Sequence, residues 1–112
     1  MMMNYKDFEN CGLNKTLKML TGKWKPLILH YLFHEGAFRF NELWVAMPRV
    51  SKKVLIEHLK QMEAQGLIVR IQKNGFPTEV TYDLSETGKT LGPLLKAMNE
   101  FGDRLTRTNE KQ

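Results

Sequence analysis

The clearest alternation of apolar and polar positions lies between residues 51 and 84. Leu55, Leu59 and Met62 recur at helical spacing behind Ser51, a good N-cap, and Gly66 supplies a left-handed stop, so the pattern predicts a capped helix over this stretch. Its apolar stripe belongs to a core. The opposite face carries Lys53, Ile56, Glu57 and Lys60, with Lys52 at the shoulder. After Gly66 the period changes to two: Leu67, Val69 and Ile71 are expected on one face of a first strand, and Val80, Tyr82 and Leu84 on one face of a second. Between them, Asn74-Gly75 offers the positive-φ dipeptide that tight turns use, and Pro77 stops further pairing, which predicts a hairpin with a loop of several residues from Lys73 to Thr78.

Upstream, Asn14 is expected to cap a short helix over Lys15 to Leu20, with Leu13, Leu17 and Leu20 on one side and Thr21-Gly22 at its end. Trp24, Leu27, Ile28, Tyr31 and Leu32 then mark a central core helix, with Pro26 tolerated in its first turn. Phe38-Arg39-Phe40 suffices for one bridge, a third strand beside the hairpin. Asn41 is expected to cap a helix over Glu42 to Met47, with Leu43 and Met47 inward and Pro48 near the turn. A short helix, a turn holding Pro48 and Arg49, and a longer helix with basic residues at its start make a helix-turn-helix. The closing pattern, Leu91, Leu94, Met98, Phe101 and Leu105, follows Ser85 as a heptad-like seam to about Leu105, with Pro93 expected to kink the helix. Such a seam either folds back on its own core or meets a partner helix; a second copy of the chain is the expectation.

The predicted class is therefore α+β and mainly helical: a winged helix-turn-helix with a two- to three-stranded antiparallel sheet and helices at both ends. The expected division is an arm over 1–10, one domain over 11–106 and a tail over 107–112. Charge agrees with this plan. Seventeen Lys and Arg against twelve Asp and Glu leave a formal charge of +5, which favours a polyanionic partner such as double-stranded DNA. In that reading Ser51, Lys52, Lys53, Ile56, Glu57 and Lys60 face base edges in the major groove. Arg39, Arg49, Arg70, Lys73, Asn74, Gly75 and Thr78 serve the turn and wing, the wing lying along the phosphates or in a minor groove. Glu57 either accepts from a cytosine amino group or holds Lys60 in an i,i+3 pair, the second being the simpler expectation. The competing reading is a winged helix used for protein contacts, its basic face incidental.

Other chemistries fare less well. With one cysteine, Cys11, an internal disulfide framework is excluded and a reducing cytoplasm suits the chain. No apolar run approaches the length of a membrane span. There is no nucleophile elbow, phosphate-binding glycine loop or metal triad, so the chain is not expected to be an enzyme or to hold a cofactor. His30 and His34 stand at i,i+4 without a third ligand nearby in sequence and are expected to be surface histidines rather than a metal site. Trp24, Phe38, Phe40 and Trp44 are expected to serve a core or interface, and a pocket for an unidentified small-molecule effector between the dimerisation helices and the DNA-binding lobe stays open, with no polar constellation to mark it.

Cys11, Thr16-Leu17, Gly22-Lys23-Trp24, Arg39-Phe40-x-Glu42-Leu43, Pro48, Ser51-x-Lys53-Val54-Leu55, Gly66-Leu67-x-Val69-Arg70, Pro77 and Val80-x-Tyr82-x-Leu84 together resemble the HxlR-type transcriptional regulators, winged-helix proteins similar to MarR regulators. The resemblance runs from about Cys11 to Phe101-Gly102. It implies a homodimer built through the first and last helices, with Leu13, Leu17, Leu91, Leu94, Met98, Phe101 and Leu105 at the interface, bound to a pseudo-palindromic operator. Recognition-helix and wing roles fall on Ser51 to Lys60 and on Arg70 to Thr78. Some members sense oxidants through a cysteine at the position of Cys11; here Lys6, Lys15, Lys18 and the start of a helix would favour a thiolate, against the alternative of an inert packed thiol. The chain departs from the pattern with Gly12, Asn14 and Thr81, where the family commonly has proline, an acidic residue and Glu.

Overall fold

The structure, a computed structural model, describes residues 10 to 110, with side chains through residue 107. The expected arm, Asn10 aside, lies outside these residues, as do Lys6 and the last two residues of the expected tail. Nine elements follow in chain order: α1 (Gly12–Met19), α2 (Lys25–Glu35), β1 (Phe38–Arg39), α3 (Phe40–Ala46), α4 (Lys52–Ala64), β2 (Ile68–Lys73), β3 (Glu79–Leu84), α5 (Glu86–Lys89) and α6 (Gly92–Glu110). The strands form one antiparallel sheet in the order β1-β3-β2. This is a winged helix-turn-helix, with the short third strand in place.

Local chemistry explains the ends of the helices, and three starts differ from expectation. Cys11, not Asn14, caps α1: its Sγ accepts from the Asn14 backbone N–H at 3.4 Å. Asn14 thus sits inside the helix. Arg39, not Asn41, is the N-cap of α3, because the Glu42 carboxylate reaches back to accept from the Arg39 N–H at 2.8 Å. The closing segment is two helices. Ser85 caps only the short α5, accepting from the Gly88 N–H at 2.9 Å, and α6 begins afresh at Gly92. Pro93 therefore falls in a first turn, where its missing N–H is not needed, and does not act as the expected mid-helix kink. The expected boundary at 106/107 falls inside α6, which runs to Glu110.

Helix α4 follows its pattern at both ends. The Ser51 hydroxyl accepts from the Val54 N–H at 3.1 Å. At the far end Gly66 takes φ +76°, the Leu67 N–H donates to the Met62 carbonyl at 2.9 Å, and the Gly66 N–H donates to the Glu63 carbonyl at 3.0 Å. These two bonds are a Schellman cap, which turns Leu67 back under the helix. Leu67 is buried for that reason and not as part of a strand face. The strand proper starts at Ile68, which is also buried, and pairs with Leu84. The register then places Arg70 opposite Tyr82 and Gln72 opposite Val80, so the expected inward row of Leu67, Val69 and Ile71 is overturned: Val69 and Ile71 are both 39% exposed on the other face.

One core joins the elements. Leu55, Leu59 and Met62 of α4 are buried against Ile28, Leu29 and Leu32 of α2 and Leu43 of α3. Each such side chain contributes roughly 1.5–3 kcal/mol of hydrophobic burial. On α2 the inward row differs by one position from the expectation, with Leu29 buried and Leu27 exposed. Two glycines set close approaches. A Cβ at Gly88 would collide with the Leu67 carbonyl, and one at Gly92 with the Phe33 ring, so α5 and α6 lie tight against the sheet end and α2. Among the described residues of α6, Gly92 and Leu95 are the buried ones.

Candidate nucleic-acid interface

The helix-turn-helix is held from both sides of its turn. Met47 and Val50 are buried inside it, while the Trp44 indole N–H donates across it to the Val50 carbonyl at 3.0 Å. This fixes where α4 starts relative to α3. Sealing Leu55, Leu59 and Met62 inward then turns Lys53, Ile56, Glu57 and Lys60 outward, and all four are exposed, with Arg49 and Ser51 exposed ahead of them. The expected face is therefore a surface.

Within that face the side chains are not equivalent. Lys52 is engaged by α3: its Nζ lies 5.9 Å from the Phe40 ring and 5.9 Å from the Trp44 ring, near enough for cation–π attraction. Lys53 and Lys60 have no such partner among the described residues. Glu57 makes no ion pair with Lys60, contrary to the simpler expectation; among the described residues the ion pairs are Arg39–Glu79 and Lys89–Glu86. A carboxylate therefore stands among lysines on the outer face of α4 without an ion pair among the described residues. Facing inward on the same helix, His58 keeps Nδ1 buried without a hydrogen-bond partner, and burial, then the nearby Lys25 ammonium, push its pKa below the ordinary histidine value. Lys25 and His58 carried no sequence signal, because neither breaks the apolar period.

The wing leaves the body. Beyond Ile68 every residue of β2 is exposed, as are Asn74, Gly75, Phe76, Pro77 and Thr78 in the loop. The loop turns with a cis Phe76–Pro77 peptide and without positive φ at either Asn74 or Gly75, so the expected role of that dipeptide is not the one it plays. The Thr78 hydroxyl donates to the Gly75 carbonyl at 3.5 Å, and Arg70 donates to the Gln72 side chain at 3.2 Å. Lys73 is exposed at the end of β2. Arg39, expected at the DNA backbone, is joined instead to the wing's own base: its Nη2 and Nε donate to Glu79 Oε1 at 2.7 and 3.1 Å. That hydrogen bond, reinforced by the opposite charges, raises the arginine pKa and lowers the glutamate's. Between this pair and the start of α3 lies a cleft of about 610 Å³ lined by Phe40, Asn41, Pro77 and Val80. Glu79 and Phe76 were the wing residues that sequence reasoning passed over, since neither breaks the strand and turn pattern.

Away from the helix-turn-helix, α1 and α6 present open apolar faces: Leu13 is 69% exposed, Leu17 55%, Met98 49% and Phe101 56%. Leu94 and Leu105 are exposed as well, whereas Leu91 packs partly against the core. His30 and His34 lie with ring centroids 4.4 Å apart, and burial followed by the His34 charge lowers the His30 pKa. Among the described residues no group of three or more His, Cys, Asp or Glu is placed to hold a metal, and no helix is long and apolar enough to cross a membrane.

Comparison with known proteins matches residues 19–110 to the HxlR-like helix-turn-helix family. The HTH-type transcriptional regulator YdeP of Bacillus subtilis is 36% identical over 98 residues, 88% of this chain and 76% of its own. YtcD of the same organism is 40% identical over 93 residues, 83% of this chain and 73% of its own. The solved structure of the redox regulator HypR in its reduced form superposes with a TM-score of 0.82 at 30% identity, covering 91% of this chain and all of that one.

Proposed function

This chain belongs to the HxlR-like helix-turn-helix family of transcriptional regulators, and from that premise we propose that it is a cytoplasmic homodimer that binds a pseudo-palindromic operator in double-stranded DNA. The observation that carries the reading is the division of α4: one row sealed in the core, the other, with Lys53, Ile56, Glu57 and Lys60, open to solvent at the start of the second helix of a helix-turn-helix. Such a row enters a major groove and meets base edges. Arg49, Arg70, Lys73, Asn74, Gly75 and Thr78 hold phosphates, which sets register without reading sequence. Arg39 acts at one remove, by steadying the wing through Glu79.

Dimerisation uses the faces that the fold leaves uncovered, Leu13 and Leu17 of α1 with Leu94, Met98, Phe101 and Leu105 of α6; Leu91 stands at their inner edge. Two recognition helices related by a twofold axis would then address half-sites about one helical turn apart. Selection of bound duplexes from a random pool tests this: an inverted repeat is expected, with affinity falling on a log-log salt plot by roughly 0.9 per phosphate contacted. Lys53→Ala and Lys60→Ala should weaken binding to the selected site, and Arg70→Ala and Lys73→Ala should weaken binding to every duplex alike. Absence of any enriched sequence would leave the protein-contact reading in its place.

Control by an oxidant is a second layer that one observation favours. Cys11 is the N-cap of α1, immediately ahead of Leu13 and Leu17, so modification of its sulfur removes a cap at the proposed dimer interface. Without a second cysteine in the chain, a disulfide would join two copies. Alkylating the protein and repeating the operator titration decides the matter, since unchanged affinity would exclude Cys11 as a sensor.

A further inference from the structure

Phe76 has a relative exposure of 106%, so its ring stands clear of the other described residues. Its setting is unusual for an aromatic residue. Phe33, Phe38 and Phe40 pack against the core, and Phe101 lies among the apolar residues of α6. Beside Phe76 at the tip of the hairpin, Lys73, Asn74, Gly75, Pro77 and Thr78 are all exposed, and the exposed apolar residues of the wing, Val69 and Ile71, stand back along β2. Lys73 lies five residues beyond buried Ile68, which at about 3.3 Å per residue carries the tip roughly 17 Å beyond the point where the strand leaves the core.

The charge around the ring narrows the partner. From Val69 to Glu79 the wing carries Arg70 and Lys73, and its single acidic residue, Glu79, is occupied by Arg39 at 2.7 Å. A protein-docking surface is a contiguous apolar patch with a polar rim. One ring on a thin, positively charged turn matches a polyanion whose interior is apolar: stacked bases between two phosphate rails, reached through a minor groove about 6 Å wide. Resting on the DNA-binding reading above, we propose that Phe76 is a wedge, inserted from the minor groove between two base pairs beside each half-site, and that it bends the duplex there. Lys73 and Arg70 hold the flanking phosphates while the ring opens the step. Pyrimidine–purine steps unstack most readily, so the wing selects them without hydrogen-bonding to a base.

The test uses the full chain and a duplex selected from a random pool, labelled at its ends with a fluorescent donor and acceptor and carrying a fluorescent adenine analogue beside the half-site. Wild type should shorten the end-to-end distance and brighten the analogue. Phe76→Leu, which keeps an apolar wedge, should retain much of both effects. Phe76→Ala should lose both, with a fall in affinity of roughly five- to hundred-fold. Because no phosphate contact is removed, the salt slope of Phe76→Ala should equal that of wild type, whereas Lys73→Ala should flatten it. The ring is free of the protein, so the melting temperature should not move. If Phe76→Ala binds and bends the duplex as wild type does, or instead loses subunit association, the wedge is overturned while the DNA reading stands. If wild type itself binds no duplex, both fall together.

Discussion

Helices α4 and α6 carry apolar residues at the same three- and four-residue spacings, yet they end in opposite situations. In α4 the row Leu55, Leu59 and Met62 is no more than 2% exposed, sealed in the core cluster that the same chain supplies. In α6 the row Leu94, Met98, Phe101 and Leu105 is between 43% and 56% exposed. The helix docks through a different face, with Gly92 against Phe33 and Leu95 in the core, and from Lys96 to Arg107 every residue is exposed. That stretch of twelve residues is about 18 Å long. Hydrophobic spacing shows that a face needs cover; it does not say which chain supplies the cover.

The largest effect expected from this contrast is on assembly. Met98→Asp combined with Phe101→Asp places two charges on the open face of α6 and touches no buried residue. Sedimentation should fall from twice the 13.1 kDa chain mass to the single-chain mass. Operator affinity should drop by about a hundredfold or more, because the two half-sites are then bound independently. A double variant that still sediments as a dimer would put the subunit interface elsewhere.

Leu59→Ala should act on the fold itself. Its side chain is 2% exposed, and truncation should cost about 2–5 kcal/mol in urea unfolding. Phe101→Ala should differ in kind as well as size, lowering the melting temperature through weakened association, a loss that varies with protein concentration. Equal, concentration-independent losses at the two positions would erase the distinction between α4 and α6. Smaller again is Ser51→Ala, which removes the hydroxyl that accepts from the Val54 N–H at 3.1 Å and should cost about 1 kcal/mol. The lost order would begin at the lysine-bearing end of α4, so operator affinity should fall more than global stability does.

What could be read in advance tracks how many independent signals met at one place. For α4 a cap, an apolar stripe and a glycine stop agreed, and the helix, its inward row and its outward row are as expected. For β2 alternation was the sole signal, and it gave the wrong phase: the Schellman cap at Gly66 buries Leu67 by a helix mechanism, so the strand's own count starts one residue later. At α1 and α3 the conventional cap residues Asn14 and Asn41 were displaced by neighbours, Cys11 through its sulfur and Arg39 through the carboxylate of Glu42. The absence of an ion pair at Glu57 among the described residues, the Arg39–Glu79 bridge and Lys52 over Phe40 and Trp44 all depend on which long side chains meet across elements, which spacing along one element does not determine.

The finest separation between the two helices is their response to acid. On the α4 side, His58 is packed with Lys25 nearby and with Nδ1 buried and unpartnered; burial and then the Lys25 charge hold its pKa below the ordinary 6.5, against weaker opposing effects from Glu57 and a Gln61 hydrogen bond. The unfolded chain, with an ordinary histidine, therefore takes up a proton before the folded chain does. Stability is fully present above about pH 6.5 and declines as pH falls through the folded value. His30, lowered by burial and His34, adds in the same direction. Urea unfolding at pH 8 and pH 5.5 should show wild type losing stability on acidification, and His58→Gln losing less. The open row of α6, Leu94, Met98, Phe101 and Leu105, holds no titrating group, so the same substitution should leave subunit association unchanged at both pH values. A His58→Gln protein with the full wild-type acid loss would show that the sealed side of α4 is not where the proton is felt.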